Sequence, residues 1–236
     1  MPVVYILSSG GPNVDGDRYY QEIEMRKGAF GHITTGAATK IAEMKDNFSA
    51  MYQSIVMEED SYLEYMPEHI IPCKNSRFVS YTDITCHPSA TLFYSELYTC
   101  GRKHRDNEIF KYDILSVTCN ARRPSGEPLF REKFLIEPPK VNMRNIGIMG
   151  GFDMYANVVV LTPRDKADKI YEATSAAYTP SKGIATGITR LPNNAGLLYK
   201  VLGMEAQPIK AIVREFCNTV RMTVKEHPLP PEFPWR

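Results

Sequence analysis

The chain has 236 residues, 43% of them hydrophobic, which is enough to bury one substantial core; a predominantly β chain of this length often forms one domain. Its 28 basic residues nearly cancel its 27 acidic ones, a balance that argues against a nucleic-acid-binding surface driven by counterion release. No apolar run approaches a membrane span, the first residues lack a signal-peptide layout, and five cysteines (Cys73, Cys86, Cys100, Cys119, Cys217) contain no CxxC pair, so a soluble cytoplasmic chain with reduced, buried thiols is expected.

Val3 to Leu7 is apolar without interruption and reads as a buried strand wanting neighbours on both sides. A Gly/Pro/Asn-rich turn then closes on Gly16-Asp17. Arg18 to Lys27 reads as a strand, because Tyr19 and Tyr20 supply β-favouring aromatics and Ile23 and Met25 alternate with Glu22, Glu24 and Arg26. A tight turn at Gly28-Ala29, a second strand and a small-residue tract ending in Thr39-Lys40 complete the unit. This two-strand unit recurs from Tyr52 and again from Ser80: Ile23, Ile55 and Ile84 take equivalent places, as do Met25, Met57 and Cys86, at spacings of 32 and then 29 residues. Repeats of that length bury their apolar faces by stacking on their neighbours, which predicts a mainly β, solenoid-like stack of strands, with three hairpins of a sandwich as the alternative.

Gly101 to Asn107 is a charged turn, Ile114 to Ala121 and Glu127 to Glu137 are further strands around Pro124-Ser125-Gly126, and Ala156 to Leu161 is the last strong strand of this part. The composition then changes. Thr162-Pro163 with Asp165 predicts a helix start, with Ala167, Ile170, Tyr171, Thr174 and Tyr178 on one face. Ile184 to Leu191 and Leu197 to Leu202 predict a hairpin, and a second helix starting near Pro208 buries Ile209, Ile212, Val213, Phe216, Val220 and Val224 until Pro228 stops it. The expected organisation is a single domain over 1–236, with a β-stack in 1–161 and a helix-hairpin-helix ending in 162–236.

HExxH, GxSxG and GxGxxG are absent, and Gly31-xxxx-Gly36 lacks the lysine of a phosphate-binding loop. Cys100 and His104 supply two ligands where a closed zinc site needs four. Met25 and Met57 share a face with Ile23 and Ile55 and read as core. His32 and Glu64 fall at equivalent repeat positions, where stacking, a solvated face and a site are all open readings. Among carboxylates, Asp17 follows a glycine at a turn, Glu96 interrupts the aromatic strand LFYSELY, and Glu132 shares a face with Phe130 and Phe134. A charge there requires either an ion pair with a nearby Lys or Arg, or a wet cavity.

The segments GGPNVDGDRYYQEIEM, TTGAATKI, LEYMPEHIIPC, the stretch from Gly101 to Asp113, EPLFREKFLIEP and the closing PPEFPWR together resemble the urease accessory protein D family, also called UreD or UreH, from about Val3 to Arg236. The resemblance implies a β-helix-like stack with two helices near the C-terminus. It also implies a non-enzymatic protein that binds apo-urease, the accessory F protein and a nickel-carrying accessory GTPase, so that Ni²⁺ reaches the urease active site, with no permanently bound cofactor. Carried over by motif, Asp17, Thr39, Lys40, Glu96 and Glu132 are expected to line a hydrated nickel passage, and Tyr199, Met204 and Met222 to contribute to partner binding. Family members usually carry several dozen further residues of β-strand ahead of this segment, so a truncated or late-started form is expected. A rival reading is a β-helical carbohydrate enzyme using Glu96 and Glu132 as an acid and base pair.

Overall fold

A computed structural model describes residues 1–105 and 107–231. Behind β1 (Val3–Ile6) come three successive coils, each placing one strand in one sheet and the next in a second sheet: β2 (Arg18–Met25) with β3 (Phe30–Thr35) and short β4 (Thr39–Ile41), β5 (Ser49–Met57) with β6 (Tyr62–Tyr65) and short β7 (Ile70–Pro72), and β8 (Arg77–Cys86) with β9 (Thr91–Tyr98). Equivalent strands stack in parallel. Ile23 lies opposite Ile55 and Ile55 opposite Ile84, while Met25, Met57 and Cys86 align two residues on, as the spacing predicts. This register keeps the apolar set inside; a slip of one residue turns all of it outward. The two strands of each unit join different sheets, so the units are coils and not sandwich hairpins.

β10 (Ile114–Arg122) extends the smaller sheet in parallel beside β8, and β11 (Pro128–Ile136) closes it antiparallel. β12 (Met154–Leu161) runs antiparallel to β9 and carries the larger sheet onward. After α1 (Arg164–Glu172), β13 (Ala177–Thr179), β14 (Ile184–Arg190) and β15 (Gly196–Gly203) complete that sheet, and α2 (Ala206–Lys225) ends the chain's regular structure. The helices cover one face of the larger sheet, where Ile170, Ile209, Val213 and Phe216 pack against Phe93, Leu97, Val158 and Val160. Two further apolar clusters lie elsewhere in the core, one around Ile23, Ile55, Ile84 and Leu92, the other around Phe78, Tyr98, Leu115 and Val117. All five cysteines are buried and free.

Several local expectations are corrected. Thr162 does not cap α1: its hydroxyl pairs with that of Thr91 at 2.8 Å, and the helix starts behind Pro163 without a side-chain cap. α1 stops at Glu172, and Tyr178 stands in β13, 74% exposed, because the chain turns extended there to pair with β14. α2 starts two residues before Pro208, a first-turn position where the missing N–H costs nothing. Glu226 ends it in the left-handed region at φ 58°. Among the described residues β1 pairs with β3 alone, and Val4 and the following Leu7 are exposed, so β1 is an edge strand here despite its apolar run. Of the PPEFPWR ending, residues 232–236 lie outside the described residues, as does Asp106 within the charged turn.

Candidate functional site: a polar seam between the sheets

The coil register that aligns the isoleucines also aligns polar residues. Gln21 lies opposite Gln53, Gln53 opposite Thr82, Thr82 opposite Cys119 and Cys119 opposite Glu132, one inward-facing row across the five-stranded sheet. In the larger sheet Glu96 lies opposite Asn157, and Asn157 opposite Lys200. Tyrosines bridge the rows. Gln53 Nε2 donates to the Tyr65 hydroxyl at 2.6 Å and to Gln21 Oε1 at 3.1 Å, and Thr82 Oγ1 lies 3.0 Å from Gln53 Oε1 and 2.9 Å from the Tyr94 hydroxyl. Tyr94 and Tyr98 both donate to Glu96 Oε1, at 2.8 and 2.9 Å. Glu132 receives Asn157 Nδ2 at 2.8 Å and the Lys200 ammonium.

One end of this seam opens into a cleft of about 1100 Å³ bordered by Gln21, Gln53, Thr39, Lys40, Glu68 and Glu96. A second, much smaller space of about 10 Å³ shares Glu96 with the cleft and is bordered by Glu132, Asn157, Tyr155 and Cys119. Three buried atoms among the residues bordering this smaller space have no hydrogen-bond partner among the described residues: Glu96 Oε2, Asn157 Oδ1 and the Tyr155 hydroxyl. Burial pushes the Glu96 carboxyl up to about 7, against the two tyrosine donors, and the charge of Glu132 adds to the rise.

The structure therefore brings Thr39, Lys40 and Glu96 to one cleft and sets Glu132 on the second, smaller space that shares Glu96 with it. Asp17 stands apart. Its carboxylate accepts from Val14 N at 2.8 Å and from the Tyr19 hydroxyl at 2.9 Å, holding the turn, and only Tyr19 reaches the cleft. For Glu132, the ion pair with a basic residue is present: the partner is Lys200, which no local pattern pointed to. A space of about 10 Å³ holds about one water and leaves no room for a sugar between Glu96 and Glu132, so the acid-base reading has no substrate site there. Tyr199 is core, packed on Phe216 with ring centroids 4.4 Å apart, whereas Met204 is half-buried and Met222 exposed.

The sequence paired Glu64 with His32 but left the role of the pair open, and the structure makes Glu64 a buried, multiply bonded carboxylate. Glu64, fully buried, accepts from the Tyr62 hydroxyl at 2.6 Å, lies 2.8 Å from His32 Nδ1 and receives the Arg221 guanidinium in two contacts of 2.6 Å. Burial pushes this carboxyl up, but the bonds from His32, Arg221 and Tyr62 outweigh it and hold the group down at about 2. The repeat had aligned His32 with Glu64. Arg221 was legible only as a basic residue four positions after Cys217, on the buried stripe of α2. Nearby, Lys210 reaches both oxygens of Glu68 at 2.9 Å, a second tie between α2 and the coils.

No helix among the described residues is long and apolar enough to cross a membrane. The whole chain, residues 1–236, matches the profile of a family described as UreD urease accessory protein. It is 44% identical over 236 residues to a protein named urease accessory protein UreD 2 from Brucella canis, covering all of this chain and 78% of that protein. It is 41% and 39% identical over 237 residues to proteins named urease accessory protein UreD from Photorhabdus laumondii and Yersinia pseudotuberculosis, covering 74% of each. A full-length match at these identities, on a solenoid-like β stack with a helix-bearing ending, leads to one conclusion: the chain belongs to the UreD urease accessory protein family.

Proposed function

We propose that this chain is a non-enzymatic scaffold that binds apo-urease, the accessory F protein and the nickel-carrying accessory GTPase in the cytoplasm, and that its polar seam guides Ni²⁺ toward the urease active site. The observation that supports the reading is the series of polar side chains between two apolar-cored sheets, from Gln21 and Gln53 at the open cleft through Thr82, Tyr94 and Glu96 to Asn157 and Glu132. An apolar interior excludes a hydrated cation; amide, hydroxyl and carboxylate oxygens replace its water. Such donors hold Ni²⁺ less firmly than clustered His or Cys would, which suits an ion that must be released. The nickel is cargo and not a resident cofactor. Thr39 and Lys40 sit at the wide end, Glu96 at the closure and Glu132 beyond it.

The test uses Glu96→Gln and Glu132→Gln, each supplied in place of the wild-type gene during urease maturation, with nickel per urease active site measured beside the variant's melting temperature. Folding and recovery with the partners are expected to stay near wild type while nickel in urease falls several-fold. A fall in melting temperature large enough to explain the lost activation would defeat the passage reading for these residues.

A further inference from the structure

The end of the stack that carries β1 and β2 is stepped. The larger sheet runs past β3 to β1, whereas the smaller sheet stops at β2, so among the described residues no strand lies on the outer edge of β2. The step uncovers apolar side chains. Val4 pairs with Ile33, which packs on the cluster of Ile23 and Ile55, and Ile6, two residues on, packs there too, so Val4 faces the space between the sheets. It is nevertheless 52% exposed, because no strand stands opposite. Leu7, Tyr19 and Tyr20 are exposed at the same end, where they border the wide cleft. Other sheet ends differ. β11 carries Arg131, Glu132 and Lys133 in succession, charges of the kind that blunt edge pairing, and β13 has only three residues. β1 has no charged residue.

We propose that the strand position beside β2 is filled by β1 of a second copy of this chain, so that two copies interlock as a two-fold dimer. The vacancy is one strand wide and β1 is the one strand that protrudes, so the step is complementary to itself. A two-fold axis running between the sheets, along the strands, exchanges the sheets of the two copies. Each smaller sheet then continues through β2 into the other copy's β1, and each larger sheet through β1 into the other copy's β2. Strand direction allows this. β2 reverses into β3 through a tight turn closed by Ala29 N on Arg26 O at 2.8 Å, and β1 runs parallel to β3, so the incoming β1 meets β2 antiparallel. A two-fold axis perpendicular to the sheets is excluded, because it sets β2 against β2 and drives β1 into the place of the other copy's β3. In the interlocked pair Val4 and Ile6 of both copies face one another and close the apolar core. The contact is isologous and therefore ends at two copies. It does not depend on the passage reading.

Light scattering on the full chain as it elutes from a sizing column, over a range of concentrations, tests this. Twice the mass of one chain is expected. Val4→Glu sets two carboxylates face to face in the joined core and is expected to raise the dissociation constant at least about ten-fold. Val4 is already exposed in the single chain, so the variant's circular dichroism is expected to match wild type. Tyr178→Glu, on the exposed face of β13, is expected to dimerise as wild type does. Hydrogen exchange on the wild-type chain needs no variant: amides of β1 and β2 are expected to gain protection as concentration rises, and those of β11 and β13 are not. A wild-type chain that stays monomeric, assemblies that grow past two copies, a dimer that the folded Val4→Glu chain keeps, or protection gained at β11 or β13 instead overturns the proposal.

Discussion

Glu64 and Glu96 are buried carboxylates in adjacent, paired strands, β6 and β9, and the protein treats them in opposite ways. Glu64 sits on the face covered by α2 and has His32, Tyr62 and Arg221 around both oxygens. Glu96 points between the sheets, has two tyrosine donors on one oxygen and nothing on the other. The first is held at about 2 and the second lifted to about 7. A carboxylate that serves the fold is saturated with donors; one left half-satisfied at the end of an open cleft retains capacity for something else.

The largest way to stress this contrast is Arg221→Met, which leaves Glu64 ionised and buried without its cation; a loss of about 3 to 5 kcal/mol is expected in denaturant melts at pH 7. A loss below about 1 kcal/mol would show that Glu64 is not the anchor of α2.

Proton linkage gives the next effect, with opposite signs for the two groups. Glu64 is ionised in the fold down to about 2 against an ordinary value of 4.5, so its contribution is present above about 4.5 and lost as pH falls toward 2. Glu96 has its folded value raised from 4.5 to about 7, so the native state holds a proton the unfolded chain has released, and stability falls as pH rises between these limits. Glu96→Gln should cost within about 1 kcal/mol at pH 6 and flatten that decline. A decline of wild-type steepness in the variant would assign it to another group.

The smallest effect is the control beside the anchor. Met222 follows Arg221 on α2 but is 44% exposed. Met222→Glu should change stability by about 0.5 kcal/mol or less. If it also weakens recovery of the accessory partners, it separates a docking surface from the core that Tyr199 and Arg221 belong to.

What could be read from the sequence divides along the same line. The coil register was legible because Ile23, Ile55 and Ile84 repeat an alternating pattern that only one stacking satisfies, and the pairing of His32 with Glu64 followed from it. Glu96 and Glu132 stood out because each breaks an apolar or aromatic strand. Their partners were not legible. Lys200 and Asn157 reach Glu132 through the antiparallel half of the larger sheet, which lacks the repeat, and Arg221 reaches Glu64 across 157 residues. Asp17 was placed by resemblance, and its side chain answers to the turn that follows Asn13. Thr162 failed as a cap because a long-range partner, Thr91, held its hydroxyl.

That 157-residue separation also sets an order of assembly. Successive coils join partners about thirty residues apart, a short closure whose entropic cost is met as soon as each coil has left the ribosome. The guanidinium that balances Glu64 is translated only after all three coils. Without α2 the coils would hold Glu64 beside His32 and Tyr62 but lack the Arg221 guanidinium, so this buried carboxylate gains its arginine only when the last helix docks.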